Sequence, residues 1–262
     1  MNPGPISQSI KFFQRRLALF WAFGACVALT IFPFALGSWG LEGEVPAAPT
    51  WAWVPYGLAI IFSSFAIMLA AERGRAGLRD VGFFGTFREA VLGLPKAFSP
   101  VVLGIVALVV CYAPFAFYVL PQFSAWAAAH PDLGLASLIV ATSLKALFAF
   151  LPIVVLGGAT YAGALRARFG LGLKPSLVRA FRGMSRKLPR IFIVFYLWFF
   201  MLGGLALVLV MSFVGPASTA LFSAAVSDMV QWAVSTPFIA ALALGGTSYF
   251  VFSDKTQADA VN

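Results

Sequence analysis

Residues 86–120 read TFREAVLGLPKAFSPVVLGIVALVVCYAPFAFYVL and join two kinds of predicted helix in one stretch. The first half has apolar residues at i, i+4, i+7 and i+11, with basic residues beside them, which is the pattern of an amphipathic α-helix. The residues of this apolar stripe are Phe87, Val91, Leu94 and Phe98. The apolar run that follows has the length needed to cross about 30 Å of hydrocarbon. The stretch therefore predicts an amphipathic helix that leads into a membrane span.

The same arrangement occurs twice more in the chain and predicts an internal repeat. The two further stripes are Ile6, Ile10, Phe13 and Leu17, and Leu177, Phe181, Met184 and Leu188. The predicted repeat units are 1–74, 82–170 and 172–254, with a polar tail at 255–262. Pro95 and Pro189 fall near the ends of two stripes, where each is expected to bend the chain between a surface helix and a span.

Two helix starts are predicted from local sequence. Thr86 and Glu89 form a capping box, with Thr86 as the N-cap of the second amphipathic helix. Ser176 is the expected N-cap of the third.

The composition excludes an ordinary soluble domain, because 61% of the residues are hydrophobic and only 10% are charged. The apolar residues are concentrated in runs of about 20, which must be helical within lipid. Six spans are predicted, at 17–37, 52–71, 100–120, 145–165, 191–213 and 233–252. The expected fold is all-α: a single polytopic membrane domain, 1–262, built from three helical hairpins that are each led by a cytoplasmic amphipathic helix.

The net charge of +9 raises the question of a nucleic-acid partner, which the position of the charges argues against. All basic residues except Lys145 fall on one side of the six-span path. This is the positive-inside pattern, and it predicts a multi-pass membrane protein whose N- and C-termini and two long basic loops are cytoplasmic. Attraction to anionic membrane lipids accounts for the charge, so we expect lipid and integral membrane protein partners and no nucleic acid.

Basic residues on the predicted amphipathic helices are candidate contacts for anionic lipid or for an acidic patch on a partner. Arg179, Arg182 and Arg186 follow i, i+3 and i+7 along the third helix, and sequence leaves both uses open. The full set of candidates is Lys11, Arg15, Arg88, Lys96, Arg179, Arg182, Arg186 and Lys187.

Small and hydroxyl residues recur in the returning spans, where they are candidates for contacts between helices. Gly157-Gly158 and Gly245-Gly246 occupy matching positions, and small residues let helix backbones approach closely. A glycine pair can also unwind a helix around an ion, but no charged residue accompanies these pairs, which favours packing. The candidates are Ser63, Ser64, Gly157, Gly158, Thr160, Tyr161, Gly245, Gly246, Thr247 and Tyr249.

The six predicted spans contain no Asp, Glu, Arg or His, and Lys145 falls at the outer boundary of span four. Two extra outer segments, 121–144 and 214–232, are predicted to form short interfacial or re-entrant helices. No metal-ligand spacing, phosphate loop or catalytic constellation occurs, since His130 is the only histidine. We therefore expect no catalytic residue, cofactor or metal, and no enzyme.

Span four ends in Tyr161-x-x-x-Leu165-Arg166-x-Arg168-x-Gly170. With the amphipathic lead-in helices, this exit from the membrane resembles a loose group of bacterial six-span proteins. The group includes the membrane domain fused to glycerophosphodiester phosphodiesterases. The resemblance implies architecture over nearly the whole chain, although units one and three lack the full motif. The phosphodiesterase chemistry of such fusions belongs to a separate soluble domain, so no catalytic residue carries over.

The leading functional hypothesis is a non-enzymatic inner-membrane protein that packs with other membrane proteins and lipids as an accessory, assembly or scaffold subunit. The alternative is a permease or lipid-handling protein with a pathway between the hairpins. The expected lining of that pathway is Ser63, Thr160, Tyr161, Thr247 and Tyr249.

Overall fold

The fold is taken from a computed structural model, and every secondary-structure element that it describes is helical. The described residues are 4–39, 53–129, 134–182, 184–196, 208, 212–217, 220 and 224–254. The principal helices are α1 (Pro5–Arg15), α2 (Leu17–Trp39), α3 (Trp53–Arg75), α4 (Gly82–Pro114), α5 (Leu120–Ala129), α6 (Gly134–Phe169), α7 (Leu173–Phe181), α8 (Met184–Tyr196) and α9 (Ala224–Phe252). A π-helical turn, Phe115–Val119, joins α4 to α5. The all-α prediction is confirmed.

Four helical segments are long and apolar enough to cross a membrane. They are Val54–Arg75, Gly82–Val110, Phe150–Phe169 and Ala233–Phe252. A fifth is counted if α1 and the segment Leu17–Thr30 form one broken span, bent by 81°. Most of the predicted fifth span, 191–213, and the tail at 255–262 lie outside the described residues.

The three predicted lead-in helices differ in how they join their spans. α1 is a separate helix, and the chain turns sharply at Arg16 before α2. α4 continues through Pro95, so the helix does not end there, and the predicted bend stays a prediction. Proline φ is compatible with a helix, and spans tolerate the lost hydrogen bond where neighbouring groups compensate for it.

The third predicted helix is interrupted earlier than expected. α7 ends at Phe181 and α8 begins at Met184, so the break precedes Pro189, through which α8 continues. Arg182 has ψ 123°, an extended conformation that ends α7. The prediction that Arg179, Arg182 and Arg186 share one helix face is therefore wrong.

Both predicted N-caps lie inside helices. α4 begins four residues before Thr86, whose hydroxyl donates to the Gly82 carbonyl at 2.7 Å. The Asp80 carboxylate instead accepts a hydrogen bond from the Gly82 N–H at 3.0 Å, at the start of α4. The Ser176 hydroxyl donates to the Leu173 carbonyl at 2.8 Å. Each hydroxyl thus bonds to the preceding turn, an alternative open to Ser and Thr within helices.

The extra outer segments are only partly short helices. α5 is a 10-residue helix that begins one residue before the segment 121–144, but 134–144 forms the start of α6, which runs for 36 residues. Residues 224–232 likewise begin α9. These parts of the prediction are wrong because residues 135–145 and 224–233 contain no glycine or proline that would separate the two stretches from the spans that follow them.

The chain divides into two compact units. The first, Met1–Leu92 with Ser185–Asn262, contains a bundle of α2, α3 and α9, with α1 packed on α9. Its core includes the fully buried Phe20, Phe23 and Phe65. At Gly24, an added Cβ would lie 2.9 Å from the Ala241 backbone nitrogen, so glycine is needed where α2 meets α9.

The second unit, Gly93–Met184, contains most of α4 with α5, α6 and α7. Small residues bring α4 against α6: a Cβ added at Gly104 would lie 2.6 Å from the Ala159 Cβ, and Gly163 faces Ala97. Close approach of small residues is the usual means of packing helices in lipid. The three repeat units and the single membrane domain stay predictions.

Candidate functional site

Two serines connect the first described helix to the last. The Ser9 hydroxyl of α1 lies 2.6 Å from the Ser248 hydroxyl of α9, and both side chains are 0% exposed. Ser248 donates to the Gly245 carbonyl at 2.8 Å, and Ser9 lies 3.4 Å from the same oxygen. This contact was not predicted. The indication of this contact in the sequence is that Ser9, three residues after Ile6, is a polar residue on the apolar stripe.

Arg75, the last residue of α3, holds the C-terminal end of α9. Its guanidinium donates to the Val251 carbonyl at 3.0 Å and to the Asp254 carbonyl. The last four carbonyls of a helix have no partner within it, so the arginine fork supplies a donor to one of them, at Val251, and to the Asp254 carbonyl just beyond the helix. The two helix ends are therefore joined through one side chain.

Charged groups from α8 lie close to this end of α9. Burial lowers the pKa of Lys187, and the nearby Asp254 carboxylate opposes that change. Asp254 itself is buried. Arg190 lies within electrostatic range of Tyr249, a fully buried residue of α9. The arrangement positions α8 against α9 through charge as well as through apolar contact.

Two ion pairs connect the ends of the α1–α4 segments in the first unit. Arg16, between α1 and α2, pairs with Asp80, and Arg73 pairs with Glu89 of α4. Burial lowers the pKa of Arg16. Arg73 also donates its Nε hydrogen to the Arg79 carbonyl at 2.8 Å. These contacts fix the turn between α3 and α4.

Glu72 is a buried acidic residue that the sequence patterns did not predict to be part of the site. Its side chain is 1% exposed and lies near the end of α3. The predicted span stopped at residue 71, whereas the helix continues to Arg75. The signal was an acid placed directly after the apolar run, since a buried carboxylate near a membrane span is uncommon.

In the second unit, α7 is held on α6 by one ring. A Cβ added at Gly158 would lie 2.5 Å from the Phe181 Cζ, so the ring fills the space that glycine leaves. The Arg179 guanidinium lies 5.5 Å from the centre of the Phe169 ring, a cation–π distance. Arg166 donates to the Lys96 carbonyl at 2.9 Å and to the Ser99 hydroxyl. These contacts connect α4, α6 and α7.

The predicted contacts between helices fall in separate compact units. Ser63, Ser64 and the four candidates at 245–249 belong to the first, whereas the four candidates at 157–161 belong to the second. Gly158 and Gly246 face the rings of Phe181 and Phe195 respectively, so each glycine receives a side chain. The Thr247 hydroxyl donates to the Leu244 carbonyl of its own helix at 2.7 Å.

The predicted cationic candidates differ in exposure. Arg179 and Lys187 are half-buried, and the others are exposed: Lys11, Arg15, Arg88, Lys96, Arg182 and Arg186. Among the described residues, no group of three or more His, Cys, Asp or Glu side chains could hold a metal ion. The chemistry available at the described helix ends is that of hydrogen bonds and ion pairs between helices.

No protein family, curated protein or solved structure matches this chain. The resemblance to the six-span group stays a prediction.

Proposed function

We propose that this chain is a non-enzymatic integral membrane protein that packs against other membrane proteins and lipids as an accessory, assembly or scaffold subunit. The observation that supports this proposal is the exposed apolar face of α4. In the most apolar stretch of the segment Gly82–Val110, 22% of the residues are buried. In the corresponding stretches of the other three segments that could cross a membrane, 50–56% are buried. One helix thus presents far more apolar surface to its surroundings than the others.

The buried side of α4 is narrow. Ala97, Pro100 and Gly104 are buried, at the spacing of one helix face. The side chains on the remaining faces are mostly large and exposed: Phe98, Val102, Leu103, Ile105, Val106, Val109 and Val110. The small residues of α4 thus make the contact within the protein. The large apolar side chains form a wide surface that is available to lipid or to another protein.

The burial of the candidate polar residues favours this function over the permease alternative. Ser63, Thr160 and Tyr161 are each 1% exposed, and so is Tyr249. Residues that line a transport pathway must be reachable by water or lipid, whereas these are packed within their own units. The alternative predicts that Ser63→Cys and Thr160→Cys react with a hydrophilic thiol reagent, and we expect both to be protected.

The proposed setting is the bacterial inner membrane, with six spans in three hairpins and both termini in the cytoplasm. The described contacts between helices are consistent with the predicted repeat. α1 packs on α9, α7 packs on α6, and the start of α4 contacts α3 through Arg73 and Glu89. Each lead-in segment thus contacts a returning span. Labelling of Lys174→Cys only after cells are permeabilised would support the orientation, and labelling of intact spheroplasts would contradict it.

A photo-crosslinking residue tests the proposed function directly. Placed at Val106 of α4 in native membranes, it is expected to form an adduct with a protein of defined mass. The matched control is Leu29 of α2, which is also an exposed apolar residue of a predicted span. There we expect lipid adducts only. Lipid adducts at both positions, with a chain that migrates alone in mild detergent, would count decisively against an assembly role.

A further inference from the structure

Pro100 interrupts the backbone hydrogen bonds of α4. In an α-helix the N–H of each residue donates to the carbonyl four residues earlier, and proline has no N–H. The Lys96 carbonyl, four residues before Pro100, therefore lacks its helical donor. Leaving such a carbonyl without a hydrogen bond costs free energy, and the cost is greatest where water is excluded. The missing donor must therefore come from another group.

That donor comes from α6. One guanidinium nitrogen of Arg166 donates to the Lys96 carbonyl at 2.9 Å and also to the Ser99 hydroxyl. Arg166 thus contacts two residues of the turn that Pro100 interrupts. Membrane helices tolerate a proline where a neighbouring helix satisfies the carbonyl that it frees, and Arg166 meets that condition. Because the donor is charged, the hydrogen bond is stronger than one between neutral groups.

Close packing of α4 on α6 places Arg166 at this turn. A Cβ added at Gly104 would lie 2.6 Å from the Ala159 Cβ, and one added at Gly163 would lie 2.9 Å from the Ala97 Cβ. The two helices therefore run antiparallel along one line of small residues, which lets their backbones approach closely. Arg166 follows one turn after Gly163 on the same line, where it reaches the backbone of α4.

The exposed apolar face of α4 continues directly after Pro100. Val102, Leu103 and Val106 are 36%, 45% and 51% exposed, and they belong to the surface that supports the proposed function. Sharp changes of helix direction occur most often at prolines, where the backbone has lost a hydrogen bond. The bond from Arg166 restrains that turn, so it also restrains the direction of the face that follows.

We propose that Arg166 is a positioning residue for partner binding: by donating to the carbonyl that Pro100 leaves without its helical donor, it fixes the direction of the exposed apolar face of α4. The arginine in the exit motif of span four thereby acquires a role beyond architecture. Partner contact through α4 is part of the proposed function, so this role rests on that function. The direction of α4 itself can be measured without a partner.

The test measures the direction of α4 by pulsed electron paramagnetic resonance on the full chain in lipid nanodiscs. Both native cysteines are replaced with alanine, and spin labels are attached at Leu94→Cys and Val110→Cys, two exposed positions of α4. The labelled residues lie about 24 Å apart along the helix axis, at about 1.5 Å per residue. In Arg166→Gln, we expect the population outside the main distance peak to rise roughly tenfold, as expected for the loss of one hydrogen bond from a charged donor.

Pro100→Ala provides the critical comparison, because alanine restores the N–H that can donate to the Lys96 carbonyl. In that background, Arg166→Gln should raise the same population by less than about threefold. Pro95→Ala is the matched control, since it restores an N–H five residues earlier and leaves the Lys96 carbonyl without its helical donor. There the full rise should persist. Arg168→Gln removes an exposed cation of α6 and should cause no rise.

Equal rises with and without Pro100→Ala would overturn the proposal, and so would no rise in Arg166→Gln or an equal rescue by Pro95→Ala. If Arg166→Gln alone does not fold, we expect Pro100→Ala to recover a folded chain and Pro95→Ala not to do so. Failure of both double variants to fold, or recovery by both, would overturn the proposal.

Photo-crosslinking in native membranes connects this role to the partner. Arg166→Gln should reduce the protein adduct at Val106, and Pro100→Ala should restore it. Absence of the adduct in the wild type would contradict the proposed function, while the spin-label distances would still decide whether Arg166 fixes the direction of α4. Unchanged distances in Arg166→Gln, with a normal wild-type adduct, would overturn the role of Arg166 alone.

Discussion

The Ser9 hydroxyl lies 2.6 Å from the Ser248 hydroxyl, although 239 positions of sequence separate the two residues. Around this contact, the Phe12 ring of α1 meets Phe20 of α2 and Phe252 of α9, each with a centroid separation of 5.7 Å. The polar bond sets the register of α1 on α9, while the aromatic rings supply the buried apolar area.

Replacing Ser9 with alanine should lower the free energy of unfolding by about 0.5–1.5 kcal/mol. The loss is modest because Ser248 keeps its bond to the Gly245 carbonyl. Thermal unfolding in mild detergent measures it, and Ser253→Ala serves as control because Ser253 bonds only within its own helical turn in the described contacts. If Ser9→Ala and Ser248→Ala were strictly additive in the double variant, the two hydroxyls would not interact.

Alanine at position 158 should destabilise the docking of α7 on α6. Its Cβ would lie 2.5 Å from the Phe181 Cζ, and such overpacking costs about 1–3 kcal/mol. In a Phe181→Ala background the space is open, so Gly158→Ala should then cost little. The melting temperatures of the two single variants and the double variant measure the coupling.

Gly57→Ala is the control for this cycle, because nothing lies within 4 Å of a Cβ added there. We expect it to be neutral or slightly stabilising, since alanine favours a helix over glycine. Equal effects of Gly158→Ala with and without the Phe181 ring would contradict the packing described above.

Lysine at position 75 should loosen the end of α9. Lysine cannot reproduce the planar fork that donates to the Val251 and Asp254 carbonyls. We expect hydrogen exchange at the Ser253 and Asp254 amides to become several-fold faster, as their bonds lie in this last turn. Arg79→Lys, at an exposed position, should leave these rates unchanged. Unaltered exchange in Arg75→Lys would show that water caps the helix equally well.

Stability should rise at alkaline pH through Lys187. Burial lowers its pKa in the folded protein below the ordinary 10.5, so the unfolded chain binds more protons between the two values. Raising the pH through that window therefore favours folding. The melting temperature of the wild type relative to Lys187→Gln, followed from neutral pH to pH ~10.5, isolates this contribution.

Asp254→Asn tests the effect of the carboxylate that raises the Lys187 pKa. Without the carboxylate that favours the charged amine, the Lys187 pKa should fall further and the rise in stability should begin at lower pH. Identical profiles for the wild type, Lys187→Gln and Asp254→Asn would exclude this linkage.

Periodicity predicted α1 and the apolar helices because both signals extend over many residues. Short-range signals were less reliable. The capping box at Thr86 competed with an earlier start near Asp80, and Pro95 did not end α4. Hydropathy ended span two at residue 71, whereas Ala, Glu and Arg favour helix and continue α3 to Arg75.

The candidate site was harder to predict than the fold, because its contacts join distant parts of the chain. Ser9 could have been noticed as a polar residue on an apolar stripe, but nothing local identifies Ser248 as its partner. Arg75 looks like any other cation at the end of a span, and its role depends on where the end of α9 lies. Such pairings are set by tertiary packing and not by spacing in sequence.

The packing of α1 on α9 also constrains the order of synthesis. At 5–20 residues per second, Ser248 leaves the ribosome roughly 10–50 s after Ser9. Throughout that interval the Phe12 ring lacks Phe252 of α9, which it contacts in the folded protein. The packing of α1 therefore cannot be completed before α9 has been synthesised.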